Sequence, residues 1–373
     1  MVRSVTEHRR VATVLAAMIP LAMGCNSILG IKGHPLADGS GLGGTAGGGT
    51  AGGGTAGGGT PGAGGTGTAG ATGAGGSATS CSADASVDGA HASDAAAGPA
   101  CGFTIPNPPG IGMPNAMAYM PRTDQTVYDK ITGLTWEGLV DGRVVGQDDA
   151  ARYCAAKPPS AAGPWRLPKL LELISLVDYT VPPPGPTIRP EFPDTPAAFF
   201  WTSQRTACDT AVKAWYVDFA KGDAHNTVVD SNLRIRCVSG TPANCSSIRY
   251  QAAGLGAVKD ATTGLTWQQT VATEQIKTWS SAGAYCSTLG TGWRLPGPAE
   301  LESIVDLTKA YPPIVPIDGD TFPGTPAEYF WTYAPEANNT SYAWYVAFVH
   351  GHIDSTPVGR MNTFVRCVRW DGP

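Results

Sequence analysis

The 373-residue sequence predicts an α+β fold: two tandem domains, each with two helices and a short, mainly antiparallel sheet, behind a disordered Gly-rich N-terminal stalk. Three observations predict it. A Trp-Arg-Leu-Pro motif that runs into a helical apolar pattern occurs twice, at 165–168 and 293–296. Both occurrences are followed by aromatic residues alternating with polar ones, the period of a half-buried strand. Between residues 43 and 76 the chain is almost only Gly, Thr and Ala, which cannot offset the entropy of ordering.

The motif sets the first helical expectation. In the first copy Leu170, Leu173, Ile174 and Val177 follow it at helical spacing, and in the second Leu301, Ile304 and Val305 do so. Proline at 168 and 296 sits where an opening turn tolerates it. Trp, Leu and the apolar stripe belong to a core, and the arginine reads as a structural ion-pair partner.

Residues 1–24 have the pattern of a secretory signal: Arg3, Arg9 and Arg10, an apolar run from Val11 to Met23, and Pro20 within it. The stretch is too short and too interrupted for a stable membrane span. Leu21-Ala22-Met23-Gly24-Cys25 resembles a bacterial lipoprotein signal, which implies lipidation at Cys25 and a chain exported and lipid-anchored to the outer membrane or cell surface. Residues 25–100 then form a flexible Gly/Ala/Thr-rich linker. No strand precedes its glycines and no Lys-Ser/Thr closes them, so they are not a phosphate-binding loop. The formal net charge is −5 and no Lys/Arg cluster lies beyond the signal, which argues against a nucleic-acid partner.

The folded mass falls in two copies, 101–240 and 241–373, aligned along their length. Each opens with a hairpin signal, Val127 to Trp136 and Val258 to Trp267, in which Asp and Gly bracket a turn. A first helix follows, carrying Tyr153 and Cys154 or Tyr285 and Cys286. Beyond the motif helix, Pro-rich connections at 181–186 and 311–316 exclude regular structure. Trp215, Val217 and Phe219, like Trp344, Val346 and Phe348, mark a central strand, and Arg236-Cys237-Val238 or Arg366-Cys367-Val368 closes each copy.

Cys154 and Cys286 fall on first helices and Cys237 and Cys367 on last strands, which predicts one disulfide per copy tying its beginning to its end. Closing such a loop contributes about 4 kcal/mol on the chain-entropy account. A zinc site is the rival, but no CxxC pair or nearby His supports it. Cys81, Cys101, Cys208 and Cys245 have no counterparts in the duplicated unit; Cys208 with Cys245 and Cys81 with Cys101 is one arrangement, left open.

Taken in order, Asp-x-x-Thr-Gly-Leu-Thr-Trp, Ala-x-x-Tyr-Cys, Trp-Arg-Leu-Pro-x-x-x-Glu-Leu, Phe-Trp-Thr, Ala-Trp-Tyr-Val-x-Phe and Arg-Cys-Val resemble the Lcl C-terminal domain family, over Val127–Val238 and Val258–Val368. The resemblance implies surface adhesion and glycosaminoglycan binding as in the family's founding member, while most members have no known function. The founding adhesin carries collagen repeats, whereas the Gly-rich segment here lacks a strict every-third-Gly period, so no triple helix is implied. The layout also resembles the C-type lectin-like fold, and Arg-Leu-Pro before a helix is similar to the formylglycine-generating enzyme family. No cysteine outside the structural pairs recurs between copies, so no catalytic residue and no cofactor is assigned. Calcium-ligating Glu-Pro-Asn and Trp-Asn-Asp motifs of lectins have no counterpart in 204–213 or 334–342, and no metal is assigned.

The expected protein is a surface lipoprotein presenting two lectin-like modules to a polysaccharide or extracellular-matrix component. The alternative is a structural envelope component that contacts other proteins. The copies differ most in the turn after the central strand, which places candidate ligand-binding residues at Lys221, Asp223 and His225 and at His350, His352 and Asp354. Histidines there predict that an anionic ligand binds better as pH falls through about 6.5.

Overall fold

A computed structural model describes residues 102–207, 211–241, 249–271, 277–309, 318–359 and 363–372. The signal at 1–24, Cys25, the linker at 25–100, the connection at 311–316 and Cys81, Cys101, Cys208 and Cys245 lie outside the described residues. In the first copy the strands are β1 (Tyr119–Pro121), β2 (Thr126–Asp129), β3 (Thr135–Glu137), β4 (Val144–Val145), β5 (Trp165–Arg166), β6 (Phe199–Arg205), β7 (Lys213–Asp218), β8 (Ala224–Val228), β9 (Leu233–Arg234) and β10 (Val238–Ser239). Helices α1 (Gln147–Ala155) and α2 (Leu170–Ile174) flank β5. The second copy holds β11 (Tyr250–Ala252), β12 (Ala257–Asp260), β13 (Leu265–Gln268), α3 (Trp279–Ser287), α4 (Pro298–Glu302), β14 (Tyr329–Glu336), β15 (Asn339–Ala347), β16 (His352–Pro357) and β17 (Val368–Trp370).

The α+β, two-helix lectin-like expectation is overturned. Among the described residues the protein is mostly β, with seventeen strands in three sheets and four short helices. The first helix of each copy has nine residues, and the second has five, little more than one turn. The apolar stripe expected to carry α2 to Val177 continues past the helix because Ser175 ends it: its hydroxyl donates to the Glu172 carbonyl at 2.6 Å, competing with the helical ladder. Leu176 and Val177 then donate to Leu173 and Ile174 in three-residue steps, so the stripe reaches the core without a helix. Ser303 stops α4 the same way, donating to Glu300 at 2.6 Å.

The motif arginine does what its position suggested. Arg166 grips Glu172 with two bonds of 2.7 Å, and Glu172 also accepts from the Lys169 amide at 2.7 Å, capping α2. Arg294, Glu300 and the Gly297 amide repeat this with 2.7, 2.8 and 2.8 Å. A second arginine in each copy is buried. Arg236 donates to the Glu137 and Gly138 carbonyls and to Thr195 Oγ1, under the Phe192 ring. Arg366 donates to the Gln268 and Gln269 carbonyls and to Thr325 Oγ1, under Phe322. Burial pulls Arg236 down to about 10 and Arg366 to about 9, both still cationic at neutral pH.

The hairpin and the disulfides stand as expected. β2 pairs antiparallel with β3, and the turn closes through Gly133, whose amide donates to Asp129 O at 2.9 Å. Disulfides join Cys154 to Cys237 and Cys286 to Cys367. Each sits in its own small apolar cluster.

The two copies share the rest. Five-stranded (β1-β2-β3-β10-β5) and four-stranded (β11-β12-β13-β17) sheets belong to one copy each, but the eight-stranded sheet β14-β15-β16-β8-β7-β6-β9-β4 runs through both. The main apolar cluster is likewise joint, with Leu173, Phe200, Trp215 and Phe219 from one copy and Leu301, Phe330, Trp344 and Phe348 from the other. The arm before β1 adds a clasp: Phe103 donates to Thr262 O at 2.6 Å, and Asn107 Nδ2 to Glu300 Oε1 at 3.3 Å.

Candidate functional site at the seam between the copies

The turn after each central strand leads straight to the seam. After β7 the Gly222 amide donates to Asp218 O at 2.7 Å, and after β15 the Gly351 amide donates to Ala347 O at 2.6 Å. Both glycines have positive φ, +104° and +75°. An added Cβ at Gly351 would lie 3.1 Å from Trp215 of the first copy, whereas one at Gly222 would press on Val177 of its own copy at 3.0 Å and touch Trp344 of the second at 3.7 Å. The chain then enters β8 or β16, and these pair antiparallel with Ala224 opposite Ile353. Equivalent residues thus meet across an approximate two-fold axis.

This register brings four of the six sequence-selected polar residues together. His225 Nδ1 lies 3.1 Å from His352 Nδ1, and His352 Nε2 lies 3.0 Å from the Asn226 carboxamide nitrogen. On its other edge His225 Nε2 lies 3.9 Å from Asp223 Oδ2 and 4.0 Å from Asp354 Oδ2. His350 flanks them, its ring 4.1 Å from that of His352, while Lys221 is exposed on the turn. These residues are therefore not two separate exposed tips: Asp223 is 8% exposed, and the three histidines are half-buried.

Burial sets their electrostatics. Asp223 is pushed up to about 7 by desolvation first, then by the charges of Asp218 and Asp354, with Lys221 opposing. Desolvation lowers His225 and His350, and it lowers His352, aided by His350, His225 and Lys213, to about 3. The imidazoles accordingly gain their protons below the value of 6.5 used in the sequence expectation, and any anion binding through them strengthens only at lower pH.

Sequence reasoning missed the aromatic residues beside this cluster. Tyr216 pairs with His225 across β7–β8, and Tyr345 pairs with Asp354 across β15–β16. Phe199 packs on Tyr216 at 5.1 Å, and Tyr329 on Tyr345 at 5.1 Å. Phe199 is 36% exposed and the three tyrosines are half-buried, so an aromatic band with a polar centre crosses the seam. The available signal was the alternation itself, since Tyr216 and Tyr345 are the residues between the buried Trp215 and Val217 or Trp344 and Val346.

Two β copies, each closed by one disulfide and joined through one sheet, define a tandem disulfide-stapled β module. The chain belongs to the Lcl C-terminal domain family, which matches residues 125–239 and 256–369. That membership points to an extracellular adhesin-like domain, present twice. Comparison with curated proteins gives no match.

Proposed function

We propose that the protein is a surface-anchored lipoprotein whose fused modules bind an extracellular glycan or matrix component, without catalysis. The observation that carries this reading is the band Phe199, Tyr216, His225, Asp354, Tyr345 and Tyr329, continuous across the seam. Aromatic faces stack on the apolar faces of sugar rings, and the His and Asp groups between them supply the directional hydrogen bonds that a polyhydroxylated ligand needs. The signal-like N-terminus and the Gly-rich linker support display away from a membrane.

The full chain is to be screened on glycan and extracellular-matrix arrays, and any hit measured again with Tyr216→Ala/Tyr345→Ala. Loss of two rings weakens binding by about tenfold or more, since each aromatic contact is worth on the order of 1 kcal/mol beyond its area. Unchanged affinity removes the band from the reading. An array without hits favours the structural envelope role.

A further inference from the structure

We infer, resting on the glycan-binding reading, that the aromatic band selects an amine-bearing glycan, a polymer of hexosamine units with free ammonium groups, and discriminates against sulfated and uronic-acid polymers. That ligand is opposite in charge to the glycosaminoglycans that the family resemblance implies.

The sign of the site follows from which side chains meet in its middle. β8 and β16 run antiparallel with Ala224 opposite Ile353, so the register sets Asp223 beside Asp354 and His225 beside His352. Asp354 is the accessible acid, its side chain 42% exposed. Its Oδ1 accepts from the Ser355 amide at 2.7 Å, while its Oδ2 stands 4.0 Å from His225 Nε2, beyond hydrogen-bond reach. One carboxylate oxygen therefore remains available to a ligand.

The histidines supply no offsetting charge. Desolvation holds His225, His350 and His352 below the ordinary 6.5, so the three imidazoles are neutral at pH 7. Their hydrogen bonds suit the neutral forms. Asn226 Nδ2 donates to His352 Nε2 at 3.0 Å, His352 Nδ1 then carries the hydrogen given to His225 Nδ1 at 3.1 Å, and His225 Nε2 turns its own N–H toward Asp223 and Asp354. The lysines whose charge reaches the cluster are Lys221, on the turn after β7, and Lys213, at the other end of that strand. Two cations so far apart make no row for a sulfated chain.

The rings themselves lie in the field of the acids. Tyr216 is pushed up to about 12 by desolvation and then by Asp223, Asp218 and Asp354, and Tyr345 is raised by desolvation and then by Asp354. The potential that disfavours a phenolate there favours a cation, and aromatic faces attract ammonium groups in their own right. The pairs Phe199–Tyr216 and Tyr329–Tyr345, one from each copy, flank the acidic centre, which suits a chain of sugars over a single one. A hexosamine unit covers a ring with its apolar face and reaches Asp354 Oδ2 with its ammonium. An N-acetylated unit keeps the first contact and loses the second, and a sulfated unit brings like charge to Asp354.

The test is calorimetric titration of the full chain, at about pH 6.5 and low salt, with glucosamine oligomers, their N-acetylated counterparts and heparin. Glucosamine oligomers are expected to bind about tenfold or more tighter than the N-acetylated ones, with a preference that shrinks as salt is added, and heparin to bind least. Asp354→Asn keeps an acceptor for the Ser355 amide and should bring the two oligomer affinities together, whereas Tyr216→Ala/Tyr345→Ala weakens both. Equal affinity of the wild type for the two oligomers, tighter binding of heparin, or an undiminished preference in Asp354→Asn overturns the choice of ligand class and leaves the glycan reading standing. Binding of neither oligomer also overturns it, and the array result then decides the reading itself.

Discussion

Ala224 and Ile353 hold the same place in their respective copies and lie directly opposite each other in the strand pair that joins them. Both are fully buried. The axis relating the copies therefore passes between a small side chain and a large one, and the packing on one side differs from that on the other.

That contact yields the first prediction. Ile353→Ala leaves a cavity at the axis and lowers stability by about 2–4 kcal/mol, whereas Ala224→Leu overpacks it and costs about 1–3 kcal/mol. Because the main core is joint, the wild type should melt in one calorimetric transition and the variants should begin to resolve two. Two separate transitions in the wild type would falsify the shared core.

Glu302 gives the second. It occupies the position of Ile174 in the first copy, is 4% exposed, and has both carboxylate oxygens without a hydrogen-bond partner. Burial holds it well above its ordinary 4.5. With the folded value above the unfolded one, the native state binds the extra proton; stability is full below about 4.5 and falls as pH rises toward the folded value. Glu302→Ile should raise stability at pH 7 by about 1–3 kcal/mol, with a smaller gain at pH 4. Urea unfolding at the two pH values decides; an equal change at both refutes the assignment.

The disulfides give the third. Cys154–Cys237 and Cys286–Cys367 span 83 and 81 residues. Replacing one pair by alanine should lower stability by about 4 kcal/mol, and the two replacements should be similar because the loops are nearly equal in length. Denaturant melts under non-reducing conditions measure it, and a loss under 1 kcal/mol for either pair would count against a stapling role.

The fourth concerns the anchor. Metabolic labelling with a palmitate analogue should mark the wild type and not Cys25→Ser. Equal labelling of the two chains places the lipid elsewhere.

How far the sequence carried depended on whether the determinant was local. The hairpin at Asp129–Gly133, the ion-pairing arginine of the motif and the two disulfides were legible because each rests on residues that recur in register in both copies. The length of α2 was not, because a serine hydroxyl outcompeted an apolar stripe that continued past it. The seam was hidden for a different reason. Ala224 and Ile353 carry no mark of pairing, and the polar residues that meet beside them looked like two unrelated turn tips because they are far apart in the chain. Tyr216 and Tyr345 were visible as alternating residues, but only the pairing of β8 with β16 sets them in one band.

The mode of joining has a consequence for a copy standing alone. Cut between the copies, β8 or β16 becomes a bare edge with unsatisfied amides and carbonyls, next to a tryptophan that had been covered by the other half. The lost partner presented an equivalent strand with different side chains, so two detached first copies meeting by the same rotation would set Ala224 against Ala224 in place of Ile353. Holding both in one polypeptide turns that encounter into an intramolecular event, with an effective concentration set by the short connection instead of by how many molecules are expressed.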